Sequence, residues 1–266
     1  MSAAWSGLPT FLGTSVVGLL IVFAVILLAE ILGKKWAPII IIGAVCGLAI
    51  LCDYSATRFG YMKLGGGEFV IAVGVMIWPI LFLIQDYLNE FYGPKVAQYT
   101  IYGMFFAKIA VALATIWIIN GIPNPPDPEL LVRGEMFNDL MALSPRLNVA
   151  SIVGAFLSSL VNVWIYDRLR KLTKGKHLWL RNNVSSMTSL VLDSFLFYFI
   201  GFLFVDPFRL LVIYSVSSLS IYWTTNILDT GFLYLMKYIK EHRIFGIDYN
   251  RKEALVIELH DPNRAA

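Results

Sequence analysis

The residues with the greatest chemical capacity are carboxylates, amides and one ammonium group set among apolar neighbours. Asp86 and Glu90, four apart, share one face of a helix, and Gln85 and Asn89 form a second such pair beside them. Asn182, Ser186, Ser189 and Asp193 advance by four, three and four, with Asn183 alongside. Ser215, Ser218, Tyr222, Thr225 and Asp229 advance by three, four, three and four, so each set is one stripe on a helix. Lys108 stands alone in an apolar run. An ionised carboxylate only accepts hydrogen bonds, an ammonium only donates, and an amide does both. Set within apolar helices, such groups mark a candidate site, because each must face the bundle interior, a cavity or a partner. Trp78 and Phe82, and Trp164 beside Asn162, offer flat faces for an aromatic ring. Plainer roles stay open for each: headgroup contact for Asp86 and Glu90, an interhelical hydrogen bond for Asp193, a cap or anchor for Asp229, a structural ion pair for Lys108, and packing for the serines and aromatics.

The elements that must position these groups follow from composition. Of 266 residues, 58% are hydrophobic and only 15% charged, with a mean hydropathy of +0.70. A soluble domain carries about a quarter charged residues. A hydrocarbon core about 30 Å thick takes roughly 20 apolar helical residues. Seven stretches fit or nearly fit: 12–32, 36–52, 69–92, 96–119, 147–166, 184–205 and 208–235. The prediction is an all-α integral membrane protein: a bundle of seven transmembrane helices in one domain over 1–240, then a cytoplasmic tail over 241–266. Pro79 predicts a kink in the third span and Asp206-Pro207 a turn between the last two. The loop 120–146 reads either as a short helix on the outer membrane surface or as a solvated loop.

Charge supplies the orientation. Fifteen of the 21 Lys and Arg fall on the side holding Lys34, Lys35, Lys95, the 167–183 loop and the C-terminus. The positive-inside rule places that side in the cytoplasm and the N-terminus outside. Asp or Lys at the centre of a span costs about 2.5–3.5 kcal/mol, so such a group is expected to face a cavity or a partner. Lys108 is therefore expected to pair with Asp86, Glu90 or Asp193.

Other chemistries find no support. Cys46 and Cys52 share one apolar segment and read as packing, and His177, His242 and His260 have no metal-ligand spacing. No metal, cofactor or catalytic set is expected. Gly65-Gly66-Gly67 lacks the Lys-Ser/Thr of a phosphate loop and reads as a flexible lead-in to the third span. The first eleven residues hold no Lys or Arg, so the positive region of a cleavable signal is missing. A net charge of +3 is too small and too localised to argue for nucleic acid.

Four ordered segments carry a resemblance. They are Trp78–Gly93 (WPILFLIQDYLNEFYG), Ser144–Ser151 (SPRLNVAS), Leu178–Ser186 (LWLRNNVSS) with Asp193 and Phe197, and Leu228-Asp229-Thr230. In order and spacing they resemble the queuosine precursor transporter family, also called the vitamin uptake transporter family, over roughly 65–240. The chain departs from the family pattern at Gly231, where proline is frequent, at Tyr222, where lysine is common, and at Lys108. The resemblance implies a multi-pass importer in the cell (inner) membrane. Its substrates would be the deazapurine bases 7-cyano- and 7-aminomethyl-7-deazaguanine, salvaged for tRNA modification and taken up by secondary transport or facilitated diffusion. It also implies a homodimer, and a core similar to the six-helix substrate-binding component of energy-coupling-factor transporters. Two alternatives stand beside it: a substrate-binding component of an ATP-driven vitamin importer, and an intramembrane enzyme using Asp86, Glu90 or Asp193 as acid and base.

Overall fold

Inside a bilayer a helix satisfies its own backbone N–H and C=O groups, so long apolar runs fold as helices. The computed structural model describes residues 8–33, 35–56, 58–64, 67–123, 125–141 and 145–247. Among them are eight α-helices: α1 (Leu8–Ile31), α2 (Ala37–Ser55), α3 (Trp78–Phe91), α4 (Pro94–Gly121), α5 (Pro128–Met141), α6 (Pro145–Leu172), α7 (Leu178–Phe202) and α8 (Phe208–Glu241). Two antiparallel strands, β1 (Phe59–Leu64) and β2 (Gly67–Ala72), form a hairpin, and a 3-10 turn at Val73–Met76 leads from it into α3. Pro38, Pro79, Pro94, Pro128 and Pro145 each sit in a first helical turn, where the missing N–H costs nothing. Gly93, at φ +92°, supplies the left-handed residue of the short turn from α3 to α4.

Six of these helices, α1, α2, α4, α6, α7 and α8, are long and apolar enough to cross a membrane, which makes the chain a multi-pass membrane protein. They match the expected stretches 12–32, 36–52, 96–119, 147–166, 184–205 and 208–235, with ends displaced by up to about two turns. Their outer faces expose Leu20, Phe106, Trp117 and Val216. α5 is a helix with no buried residue, in keeping with a surface helix within 120–146. Asp206-Pro207 does turn the chain between α7 and α8. The tail beyond 247, with Gly65 and Gly66, lies outside the described residues.

The third stretch requires correction. Residues 69–92 are not one helix but the end of β2, the 3-10 turn and α3. An apolar run with no periodicity does not distinguish strand from helix, and here the strand takes its first residues. Pro79 marks the start of α3 rather than a kink within a longer helix.

α3 is the axis of the molecule. Its 14 residues, about 21 Å of helix, pack against α2, α4, α6, α7 and α8, and every residue from Trp78 to Glu90 is buried. At its start, the backbone N–H of Val73 donates to Arg58 O at 2.8 Å and Cys52 Sγ donates to Gly74 O at 3.2 Å, both near the end of α2. At its other end, the Tyr87 and Tyr92 hydroxyls donate to Glu30, in the last turn of α1. Lys240 of α8 completes this junction, with Nζ 2.8 Å from Glu30 Oε1 and over the rings of Tyr87, Phe91 and Tyr92.

A Cβ at Gly74 would lie 2.6 Å from the Cys52 carbonyl oxygen, whereas one at Gly43 would meet nothing within 4 Å. Gly74→Ala is expected to cost about 1–3 kcal/mol by overpacking and to lower the melting temperature of the detergent-solubilised protein, with Gly43→Ala as control. An unchanged melting temperature in Gly74→Ala would contradict this packing.

Candidate functional site

The interior holds a column of carboxylates from three helices, each met by a donor on one face of α6. Ser151 Oγ donates to Asp53 Oδ1 of α2 at 2.6 Å, and Ser158 Oγ to Asp193 Oδ1 of α7 at 3.3 Å. Asn162 Nδ2 donates to Asp86 Oδ1 of α3 at 2.7 Å, and the Tyr166 hydroxyl to Glu90 Oε2 at 3.1 Å. Positions 151, 158, 162 and 166 are spaced seven, four and four apart, so one stripe aims all four side chains at the same interior.

Near the hairpin end the column borders open space. A cavity of about 390 Å³ reaches Asp53, Tyr54, Lys108, Thr115, Asn120 and Asn148. Beyond it lies a smaller chamber of about 60 Å³, walled by Asp53, Ser151, Asp193 and the rings of Trp78, Phe197, Tyr198 and Tyr222, among others. Asp193 is only 7% exposed. The buried Trp78 indole N–H lies beside Asp193, outside the geometry of a full hydrogen bond. Phe82 meets Trp78 edge-on, with ring centroids 5.7 Å apart at 82°. Lys108 sits between the two spaces: Nζ is 2.7 Å from Asp53 Oδ1, 2.8 Å from Ser151 Oγ and 5.4 Å from the Trp78 ring centroid.

That pairing corrects an expectation. Lys108 bonds neither Asp86 nor Glu90 nor Asp193 but Asp53, which lies one residue beyond the stretch read as the second span. Prolonged by one turn, α2 carries Asp53 inside the bundle, on the face turned toward α4.

Farther along, the column is closed. Asp86 is wholly buried, its second oxygen accepting from Ser186 Oγ at 2.9 Å. Gln85 donates to Ser159 Oγ at 3.0 Å and Asn89 to Val163 O at 3.3 Å. Glu90 faces Arg181, which is itself fully buried, with Nη2 2.7 Å from Oε1. The other Arg181 terminal nitrogen donates to Gly175 O and Lys176 O, and Arg170 approaches Glu90 to 3.9 Å. Outside this pair a cavity of about 490 Å³ opens, with Arg170, Lys171 and Lys174 in its wall.

α7 and α8 meet through a second polar seam. Asn182 donates to Asp229 Oδ1 at 3.0 Å and to Thr230 Oγ1 at 3.0 Å. Asn183 donates to Thr230 at 2.9 Å, and Asn226 to Asn183 Oδ1 at 3.2 Å. Asn182 Oδ1, Thr225 Oγ1, Asn226 Oδ1 and Asp229 Oδ2 are buried with no hydrogen-bond partner among the described residues.

The structure thus sets Trp78 and Asp193 in the chamber wall, with Phe82 against Trp78 and Lys108 against Asp53 beside it, Asp86, Asn89, Glu90 and Ser186 along the column, and Asn182, Asn183 and Asp229 in the adjoining seam. Trp164 is not among them: it is 68% exposed on the outer face of α6, because Asn162 turned inward carries position 164 outward. No expectation singles out Asp53, Ser158, Tyr166, Glu30 or Lys240, and Ser151 and Arg181 enter only within the segments that carry the resemblance. The seven-four-four stripe of α6 was a readable signal, whereas the charged residues lie at predicted helix ends that also suit headgroups. Among the described residues no group of three or more His, Cys, Asp or Glu is placed to hold a metal ion.

Comparison with known proteins follows the same interior. The model of a family described as "Putative vitamin uptake transporter" matches residues 72–236, from the end of the hairpin to the last turns of α8. A curated relative, "Probable queuosine precursor transporter" of Bacillus subtilis (strain 168), is 24% identical over 166 residues, covering 62% of this chain and 71% of the relative. No solved structure matches. Asp53, Glu30 and Lys240 fall outside the family match.

Removing one partner of a buried ion pair strands the other charge at a cost of about 3–5 kcal/mol, whereas removing both is far cheaper. Arg181→Met is therefore expected to lower thermal stability sharply, and Arg181→Met/Glu90→Leu to recover most of the loss. A double variant as unstable as the single one would show that Glu90 is not the partner that matters.

Proposed function

The chain belongs to the vitamin uptake transporter family, and on that premise we propose that it imports the queuosine and archaeosine precursor bases 7-cyano- and 7-aminomethyl-7-deazaguanine. The observation that carries this reading is the chamber itself. A carboxylate, Asp193, stands among the rings of Trp78, Tyr198 and Tyr222, with the indole N–H beside it on the same wall. A guanine-like edge offers adjacent N–H donors to a carboxylate, its exocyclic oxygen can take a donor, and its rings can lie against aromatic faces. The curated relative is named for queuosine precursors, which agrees with this chemistry.

The proposed route runs along the column. The base enters through the wide cavity and meets Lys108, Asp193 and Trp78, with Phe82 bracing the indole. Asp86, Asn89, Ser186, Asn182, Asn183 and Asp229 supply polar partners as the inner half opens, and Glu90 with Arg181 closes that half until it does. The 60 Å³ chamber is too small for a two-ring base and its substituent. Binding must therefore widen it, and a ligand that favours the wider state shifts the population toward it. The 3-10 turn and α3 together act as a seventh passage through the membrane, about 29 Å from end to end. The rise of charge toward Lys35, Lys95, the 167–183 loop and the end of α8 orients that end to the cytoplasm. A C-terminal reporter that works only in the cytoplasm is expected to be active, and activity only of its periplasmic counterpart would reverse the orientation.

Uptake of labelled 7-aminomethyl-7-deazaguanine by liposomes holding only this purified protein tests the function. Wild type is expected to exceed empty liposomes clearly, and Asp193→Asn to fall at least about tenfold, the worth of one charge-assisted hydrogen bond. Wild-type uptake no greater than that of empty liposomes would overturn the reading of a self-sufficient carrier.

A further inference from the structure

The chamber wall carries charges that do not cancel. Asp53 and Asp193 both face it, while one cation, Lys108, sits at its edge. Lys108 bonds Asp53 and Ser151, whereas Asp193, with the neutral Ser158 hydroxyl at 3.3 Å and the neutral Trp78 indole N–H beside it, forms no ion pair among the described residues. With all three groups ionised, the wall holds one uncompensated negative charge in a low-dielectric interior, where an unpaired carboxylate is costly. The aromatic walls have a matching preference, since the face of an indole or phenol ring attracts a cation; Lys108 already lies 5.4 Å from the Trp78 centroid. Asp53 also borders the wide outer cavity as well as the chamber, so an arriving ligand meets this carboxylate on its way in.

We propose that this chamber is a monocation site, and that Asp53 is a specificity-determining residue of it, sharing its charge between Lys108 and the ligand. The chemical class it selects is a planar heteroaromatic bearing a protonated amine. Such a ligand brings the charge of the wall to zero, and a neutral analogue of the same ring leaves it uncompensated. Lys108 then tunes selectivity: it lowers the negative charge of the wall from two to one. This deepens the nucleobase reading above and rests on it. Within that reading it ranks the aminomethyl base, cationic at neutral pH, above the uncharged cyano base.

The test is direct binding of 7-aminomethyl- and 7-cyano-7-deazaguanine to purified protein, with the ratio of the two Kd values as the readout. Wild type is expected to prefer the aminomethyl base by about tenfold or more, the effect of one added charge interaction. Asp53→Asn, which neutralises the wall, is expected to bring the ratio close to one. Lys108→Met is expected to enlarge it, and Asp53→Asn/Lys108→Met, which restores the wild-type charge, to return it to near the wild-type value. A purely structural ion pair would give no such pattern, because stability changes affect both ligands alike. Equal Kd values for the two bases in wild type overturn this proposal and leave nucleobase import standing, and that comparison needs no variant to fold. Binding of neither base removes the nucleobase reading and this proposal with it. A ratio in the double variant as low as in Asp53→Asn overturns the role given to charge.

Discussion

A carboxylate inside a bilayer must have a donor, and in this protein one helix supplies that donor again and again. α6 places Ser151, Ser158, Asn162 and Tyr166 against Asp53, Asp193, Asp86 and Glu90, so four acidic groups on α2, α3 and α7 are held from a single stripe. The rest of the architecture follows from keeping that stripe in contact. α3 must be central to bring Asp86 and Glu90 to it, and α7 must run close alongside to bring Asp193, Ser186 and Arg181. The lipid then meets the opposite faces, where Trp164 and Trp117 are exposed.

The two ends of the column differ in how firmly they are held. At the end away from the hairpin Glu90 has a guanidinium, a phenol and a second arginine near it, and Glu30 binds Lys240 and two tyrosines. At the hairpin end Asp193 has a hydroxyl and an indole N–H beside it, and Asp53 a lysine shared with a serine. Interactions of the first kind are lost only with several others, whereas those of the second can be exchanged for contacts with a ligand. The weak end also borders the 390 and 60 Å³ cavities, so its replaceable contacts stand at the open space and the durable set lies away from it.

Much of this was legible in the sequence. The stripes through Asn182–Asp193 and Ser215–Asp229 turn inward as their spacing requires, and every member is buried. Three features were not legible, each for a physical reason. The 69–77 run is apolar throughout, and an apolar run without a period reads alike as strand, 3-10 turn or helix. Asp53 and Glu30 sit at the last turns of helices, where a charge equally suits the headgroups, and only the packing of α4 and α8 draws them inside. Trp164 reverses the error: two residues from an inward Asn162, it lies on the far side of α6, as helical geometry demands. The family match covers 72–236 and so takes in α6 and its stripe, but not Asp53 or the Glu30–Lys240 junction. The helix packing supplies those.

The most direct measurement is an experimental structure of the protein with 7-aminomethyl-7-deazaguanine bound. The ring is expected in a widened chamber beside Trp78 and Tyr222, its N–H edge on Asp193 and its ammonium within reach of Asp53, with Glu90 and Arg181 still paired beneath it. A base lodged elsewhere, with Asp193 still bonded to Ser158 and the chamber unchanged, would contradict this placement.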